Sequence, residues 1–192
     1  MYPHTRHGNV RINKAITFAA SAHGDQVRKG NLHVPYVFHP IDVADEVIRY
    51  SGLRDRELEI ATVIAILHDT VEDTPATLSD ILDQFDEVIM KGVEFLTHTH
   101  VSNRGIVSKD HDLHQNLMRL QLAPDYVQVV KLADRISNLK VFPAFWSLEK
   151  IKTYLDSSSL IAKKLGDASE DLHARLLSRV SEMRTTLSIL SE

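Results

Sequence analysis

Residues 60–67 (IATVIAIL) are apolar almost throughout and run straight into His68 and Asp69. Ionisable groups at the end of a buried segment need a partner or a metal, because unpaired burial is costly. Thr70-Val71-Glu72-Asp73-Thr74 follows. If the helix continues, Glu72 lies four residues after His68 and Asp73 four after Asp69, so four polar groups converge on one face. The plain alternative is a helix C-terminus with a solvated acidic tail, but carboxylates there oppose the helix dipole. A second His-Asp pair, His111-Asp112, sits in a polar stretch and reads as solvated surface.

Two more segments carry candidate groups. Residues 129–139 (VVKLADRISNL) surround Asp134 with apolar neighbours and put Lys131 and Asn138 on its face. Alone, Asp134 with Lys131 or Arg135 is an ordinary ion pair. Residues 35–40 (PYVFHP) place His39 among apolar groups, where a lone histidine is usually a satisfied core residue. Taken together, His39, His68, Asp69 and Asp134 make a sensible divalent metal site. Two carboxylates balance the charge, and a mixed nitrogen and oxygen set suits Mn, Fe, Co or Zn. With open positions such a site could hold water, lower its pKa and present hydroxide to phosphorus. Glu72 and Asp73 are then candidates for orienting that water or moving its proton.

The elements that must position these groups read as helices. Residues ~10–23 form one, with Val10, Ile12, Ile16, Phe18, Ala19 and Ala22 apolar. Pro40 suits the first turn of a second, where its missing N–H is not needed, and Gly52 closes it. His39 precedes that proline, so its backbone is biased away from helix and it should stand at a helix mouth. A third helix over ~55–70 is apolar on all sides and therefore buried. Thr77 with Asp80 signals the start of a fourth over 78–85. Others read at ~86–97, ~112–122, ~125–140, ~147–165 and ~168–190, the last with a stripe of Leu172, Leu176, Val180, Met183, Leu187 and Leu190. Residues 98–112 are polar and carry no clear assignment. No strand-like alternation is visible. The expected architecture is all-α: one multi-helix bundle over 1–192, its motif-bearing core at about 10–140 and C-terminal helices at about 147–190.

The 192 residues suffice for one domain with a sizeable core. With 22 basic against 26 acidic residues the net charge is −4, which argues against a nucleic-acid partner. A phosphorylated small molecule would need a local basic patch or a metal. The absence of cysteine excludes disulfides and thiolate metal sites. Residues 16–22 (ITFAASA) superficially resemble a signal-peptide end, but the apolar run is short and a motif follows directly. No run approaches the ~18 apolar residues of a membrane span. The expectation is a cytoplasmic protein with no membrane association.

Residues 22–29 (AHGDQVRK), then PYVFHP, HDTVEDT and KLADRISNL resemble the successive motifs of Rel/SpoT-type (p)ppGpp hydrolases within the HD-domain superfamily. The motifs span residues ~15–140, and the chain is similar to the small alarmone hydrolases, including the metazoan SpoT-like kind. The resemblance implies that His39, His68, Asp69 and Asp134 bind one Mn²⁺ per chain, and that Glu72 and Asp73 are the catalytic acidic pair. It implies that Arg28 and Lys29 contact the nucleotide, the Arg packing on the guanine base, and that Asn138 lies near the ribose. The implied reaction is hydrolysis of the 3′-pyrophosphate of ppGpp or pppGpp to GDP or GTP and pyrophosphate. Many long enzymes place a Ser after the Arg-Lys pair; here Gly30-Asn31-Leu32-His33-Val34 follow, a longer loop more like that of the small enzymes.

Two other functions fit the same residues: an HD phosphohydrolase acting on NADPH or an adenine alarmone, and a non-enzymatic alarmone-binding module. Retention of all six metal and acidic positions argues against the last. His98-x-His100 and His111-x-x-His114 have metal-like spacing but lie outside the motifs. His23 reads as a structural hydrogen-bonding residue. Phe145 and Trp146 read as core or interface rather than platforms for a base. The sequence leaves the oligomeric state open.

Overall fold

A computed structural model of the chain describes residues 6–28, 33–97 and 109–190. The element order is α1 (Arg6–His23), α2 (Phe38–Tyr50), α3 (Asp55–Leu67), α4 (Thr70–Asp73), α5 (Leu78–Gln84), α6 (Glu87–Leu96), α7 (Lys109–Leu120), α8 (Asp125–Asn138), α9 (Leu148–Leu165), a 3₁₀ turn (Gly166–Ala168) and α10 (Glu170–Leu190). Among the described residues the sole β feature is an isolated antiparallel bridge between Val27 and Pro35. The all-α expectation holds.

Helix α3 is the centre of the packing. Every residue from Ile60 to Leu67 is buried, so each side of this helix needs a neighbour. Helices α1, α2, α6 and α8 supply them. Each fully buried Ile, Leu or Val contributes roughly 1.5–3 kcal/mol by leaving water. Helix α6 comes so close that a Cβ on Gly92 would fall on the side chain of Ile64. On the far side of α8, α9 and α10 pack together. Leu172, Leu176, Val180 and Leu187 of the expected stripe are buried, and Met183 is partly so.

Local chemistry explains three helix starts. Thr77 and Asp80 form the reciprocal capping box at α5, Asp86 accepts from the Ile89 N–H at α6, and Ser147 from the Lys150 N–H at α9. Gly52, with φ of +76°, turns the chain away after α2. One local expectation is corrected: α2 begins at Phe38, so His39 is already helical. The N–H groups of Phe38 and His39 donate to Pro35 and Tyr36 carbonyls, closing a turn before the proline. Pro40 still sits in the first helical turn, as expected. A second correction concerns α3, which ends at Leu67; the chain bends at Asp69 (φ −95°, ψ −7°) and resumes as α4.

Candidate metal centre and active-site cavity

The bend at Asp69 brings the acidic pair to the site without one continuous helix. The Asp73 N–H still donates to the Asp69 carbonyl at 2.9 Å, so the four-residue relation survives in α4. His68 enters from the end of α3, His39 from the start of α2 and Asp134 from α8. All three are buried. One potential ligand atom from each lies within 4.8 Å of the other two. Asp69 stands against this trio, with Oδ1 3.1 Å from His68 Nε2 and Oδ2 3.5 Å from His39 Nε2.

The hydrogen bonds around the rings prepare them for a cation. His68 Nδ1 lies 2.7 Å from the Ala65 carbonyl. A carbonyl only accepts, so Nδ1 carries hydrogen. The buried Nε2 has no well-aligned hydrogen-bond partner among the described residues but faces the carboxylates, 3.1 Å from Asp69 Oδ1. It carries the ring's second proton in the metal-free protein and offers its lone pair once a cation displaces that proton. His39 Nδ1 lies 3.2 Å from Ser137 Oγ, and that hydroxyl donates to Asp42 Oδ2 at 3.1 Å. The serine proton is thus committed, its oxygen accepts from His39 Nδ1, and His39 Nε2 is left for a ligand. Lys140 anchors the far end, 2.8 Å from the same Asp42 oxygen. Such outer partners fix the tautomer and orientation of a metal-binding imidazole. An orphaned buried nitrogen beside a second lone pair and anionic oxygens fits a divalent cation. His39, His68 and Asp134 are placed to hold one.

The charges lead to the same conclusion. Burial pushes the His39 ring below the usual histidine range. Burial opposes charge on His68 too, but Asp69 and Asp134 beside it push that ring up to about 10. Burial disfavours ionised Asp134, yet Lys131 and the two histidines hold it well below the usual carboxylate range; His68 does the same for Asp69. The buried Asp134 and half-buried Asp69 carboxylates therefore stay ionised and demand positive charge, from a proton or from a metal.

A cavity of about 360 Å³ opens over this centre, within the usual size of small-molecule sites. Arg28, Glu72, Lys131, Arg135, Asn138, Trp146 and Tyr154 line it with the metal-centre residues. Arg28 is half-buried and Glu72 exposed, as is Asp73. Asn138 donates to Asp134 Oδ1 at 2.6 Å and accepts from Arg28 Nη1 at 3.4 Å. Lys131 Nζ holds the other Asp134 oxygen at 3.0 Å. Lys29 lies outside the described residues, as do His98 and His100, and the side chain of His111 is likewise not described. His23 bonds Gln26 at 3.0 Å, in keeping with a structural role.

Several groups here were not singled out in the sequence, although Tyr36 and Ser137 lie within its motifs. Ser137, Asp42 and Tyr36 touch the centre only because α2, α8 and the 33–38 turn meet. Trp146 was expected in core or interface, yet it lines the cavity, stacked on Phe142 (5.6 Å) and edge-on to Tyr154 (5.2 Å). Burial pushes the Tyr154 hydroxyl up to about 12. Phe145 is exposed.

Comparison with known proteins shows the family. The HD-domain family profile matches residues 15–166. A GTP pyrophosphokinase rsh of Brucella suis biovar 1 is 35% identical over 159 residues, 81% of this chain and 20% of that protein. The chain thus spans about a fifth of the length of that relative. Over 172 residues it is 30% identical to the Xenopus tropicalis guanosine-3′,5′-bis(diphosphate) 3′-pyrophosphohydrolase MESH1, covering 86% of this chain and 90% of that one. The solved structure of a metazoan SpoT ortholog, described as hydrolysing ppGpp, superposes with a TM-score of 0.79 at 23% identity, covering 95% of this chain and 98% of that one.

Proposed function

Since the chain belongs to the HD-domain family, in the group that includes the MESH1 proteins, we propose that it is a single-domain, metal-dependent phosphohydrolase that removes the 3′-pyrophosphate of ppGpp or pppGpp. The observation that carries the chemistry is the orphaned His68 Nε2, buried among His39, Asp69 and Asp134 under an open cavity. His39, His68, Asp69 and Asp134 would hold one divalent cation, Mn²⁺ in our reading. The bound ion supplies Lewis acidity and a water of lowered pKa. The similarity to MESH1 supports the guanosine substrate.

The chain's own residues have defined tasks in this reaction. Glu72 and Asp73 orient the attacking water and take its proton. Oxygen bonds to the phosphorus attached to the ribose 3′ oxygen; that P–O bond breaks, and pyrophosphate leaves. The ribose 3′ oxygen takes a proton, giving GDP from ppGpp or GTP from pppGpp. Arg28 and Lys29 bind the nucleotide, with the planar Arg28 guanidinium packed on the base. Lys131 and Arg135 add positive charge along the cavity wall, which the diphosphates need beside so many carboxylates. The Arg28–Asn138 contact is long, so the Asn138 carbonyl oxygen can accept from a ribose hydroxyl instead while its amide keeps Asp134. We place the enzyme in the cytoplasm; no helix among the described residues is long and apolar enough to cross a membrane.

A second substrate class keeps its place because a guanidinium and an aromatic wall of Trp146 and Tyr154 can receive any base. NADPH or an adenine alarmone would then be the substrate. Turnover of a nucleotide panel with Mn²⁺, followed by product analysis, decides. Pyrophosphate and GDP released from ppGpp support the proposal, and a protein inert towards ppGpp but active on NADPH would replace it.

A further inference from the structure

The Tyr36 hydroxyl touches both halves of the active site. It donates to Asp69 Oδ2 at 2.6 Å and lies 3.3 Å from Asp73 Oδ2. We propose that Tyr36 is a positioning residue that sets the Asp69 carboxylate for the cation and tethers Asp73 beside it. This rests on the hydrolase reading above for the role of Asp73, but not for the contact with Asp69.

The phenol is fixed from every side. Its backbone N–H donates to the Gln26 carbonyl at 2.7 Å, and its ring packs between His23 (4.6 Å) and the edge of His39 (5.7 Å). His23 in turn bonds the Gln26 side chain, whose amide donates to the Asp73 carbonyl at 2.8 Å. Gln26 therefore grips Tyr36 and Asp73 at once, holding the ring and the α4 end in one frame. Between the ring and the carboxylates nothing remains to adjust but the hydroxyl rotor.

A phenol has a single proton, and the two distances show where it goes. The short contact is a charge-assisted bond to Asp69. It pins one carboxylate oxygen and turns the other towards His68 Nε2, 3.1 Å away. Without that bond, Asp69 is free to swing from Asp134, since like charges at a shared site repel. The longer contact leaves Asp73 only loosely held. Asp73 can exchange it for a better donor once water and substrate arrive, without leaving the site.

The test is Tyr36→Phe, which removes the hydroxyl and keeps the packed ring. Affinity for Mn²⁺ is measured on metal-free protein by competition with a fluorescent chelator. Turnover of ppGpp is measured at saturating Mn²⁺, and thermal unfolding of the metal-free protein reports the fold. The expected result is Mn²⁺ affinity weaker by about 10- to 100-fold, kcat lower by about tenfold or more, and KM and the unfolding midpoint unchanged. Either Mn²⁺ affinity or kcat within twofold of wild type overturns the assignment. A variant with a lowered midpoint is assayed at a temperature where it is as fully folded as wild type, and wild-type Mn²⁺ affinity there also overturns the assignment. If the wild-type protein turns over no ppGpp, the functional reading fails, and the Mn²⁺ titration still decides whether Tyr36 positions Asp69.

Discussion

Replacing Ser137 by Ala tests the claim that His39 is set up as a ligand from outside the metal centre. Ser137 is buried, and its hydroxyl is the acceptor for His39 Nδ1 at 3.2 Å while it donates to Asp42 at 3.1 Å. Alanine deletes that oxygen alone. Asp42 keeps Lys140 at 2.8 Å, so its charge stays compensated. The loss falls on His39: a buried N–H without an acceptor costs about 1–3 kcal/mol. The ring escapes this by moving the proton to Nε2, the atom meant for the cation, and metal binding must then pay for moving it back. Loss of an outer partner typically weakens metal binding about 10- to 100-fold, or about 1.4–2.8 kcal/mol at 1.4 per tenfold. The two estimates coincide because they describe the same misplaced proton. Chelator competition with Mn²⁺ on metal-free protein reads the affinity, and urea unfolding of the same samples reads the stability. The expected outcome is a weakened cation with at most a modest loss of stability. Wild-type affinity in Ser137→Ala would refute the tautomer argument, and a large loss of stability with unchanged affinity would make Ser137 a packing residue.

Other consequences are as direct. Asp134→Asn should abolish tight Mn²⁺ binding and lower ppGpp turnover by orders of magnitude, since it removes one of the two charges that balance the ion; calorimetry and a turnover assay check both. In the metal-free protein His68 keeps a proton up to about pH 10, and this proton must leave when the cation binds. Mn²⁺ affinity should therefore rise with pH up to about 10, by up to about tenfold per unit, and titrations in buffers of different ionisation enthalpy should show proton release. Glu72→Gln and Asp73→Asn should each lower kcat by about 100-fold or more while Mn²⁺ affinity stays near wild type; a matching loss of Mn²⁺ would make them ligands instead. Gly92→Ala drives a methyl into Ile64 between α3 and α6 and should cost about 1–3 kcal/mol in denaturant unfolding.

The sequence alone determined the helices and their order, because burial writes a period of 3.6 into the chain. The all-apolar run before His68 had to be central, and it is. The stripe on α10 had to face inward, and its described members do, fully or in part. His39, His68 and Asp134, which the fold brings together with Asp69 beside them, stood out because a candidate metal site constrains residue type, and motif order constrains position. Local rules failed where neighbours outbid them. The pre-proline bias at His39 lost to two turn hydrogen bonds. The third helix, expected over ~55–70, ends at Leu67, and the chain bends at Asp69 and resumes as α4, which keeps the acidic pair at the site by a different path. Trp146 looked like core because a side chain's surroundings are not written in its own segment.

Only the tertiary structure decided which groups serve the ligands. Ser137 and Asp42 are 95 residues apart, and Tyr36 and Asp69 are 33 apart. No periodicity or spacing joins such pairs; they meet because α2, α3 and α8 pack closely enough for single hydroxyls to bridge them. The residue types at the centre follow from the chemistry a divalent ion demands of its ligands, which the sequence can display. The direction of each proton around that centre follows from hydrogen bonds between distant segments, and those exist only once the chain has folded.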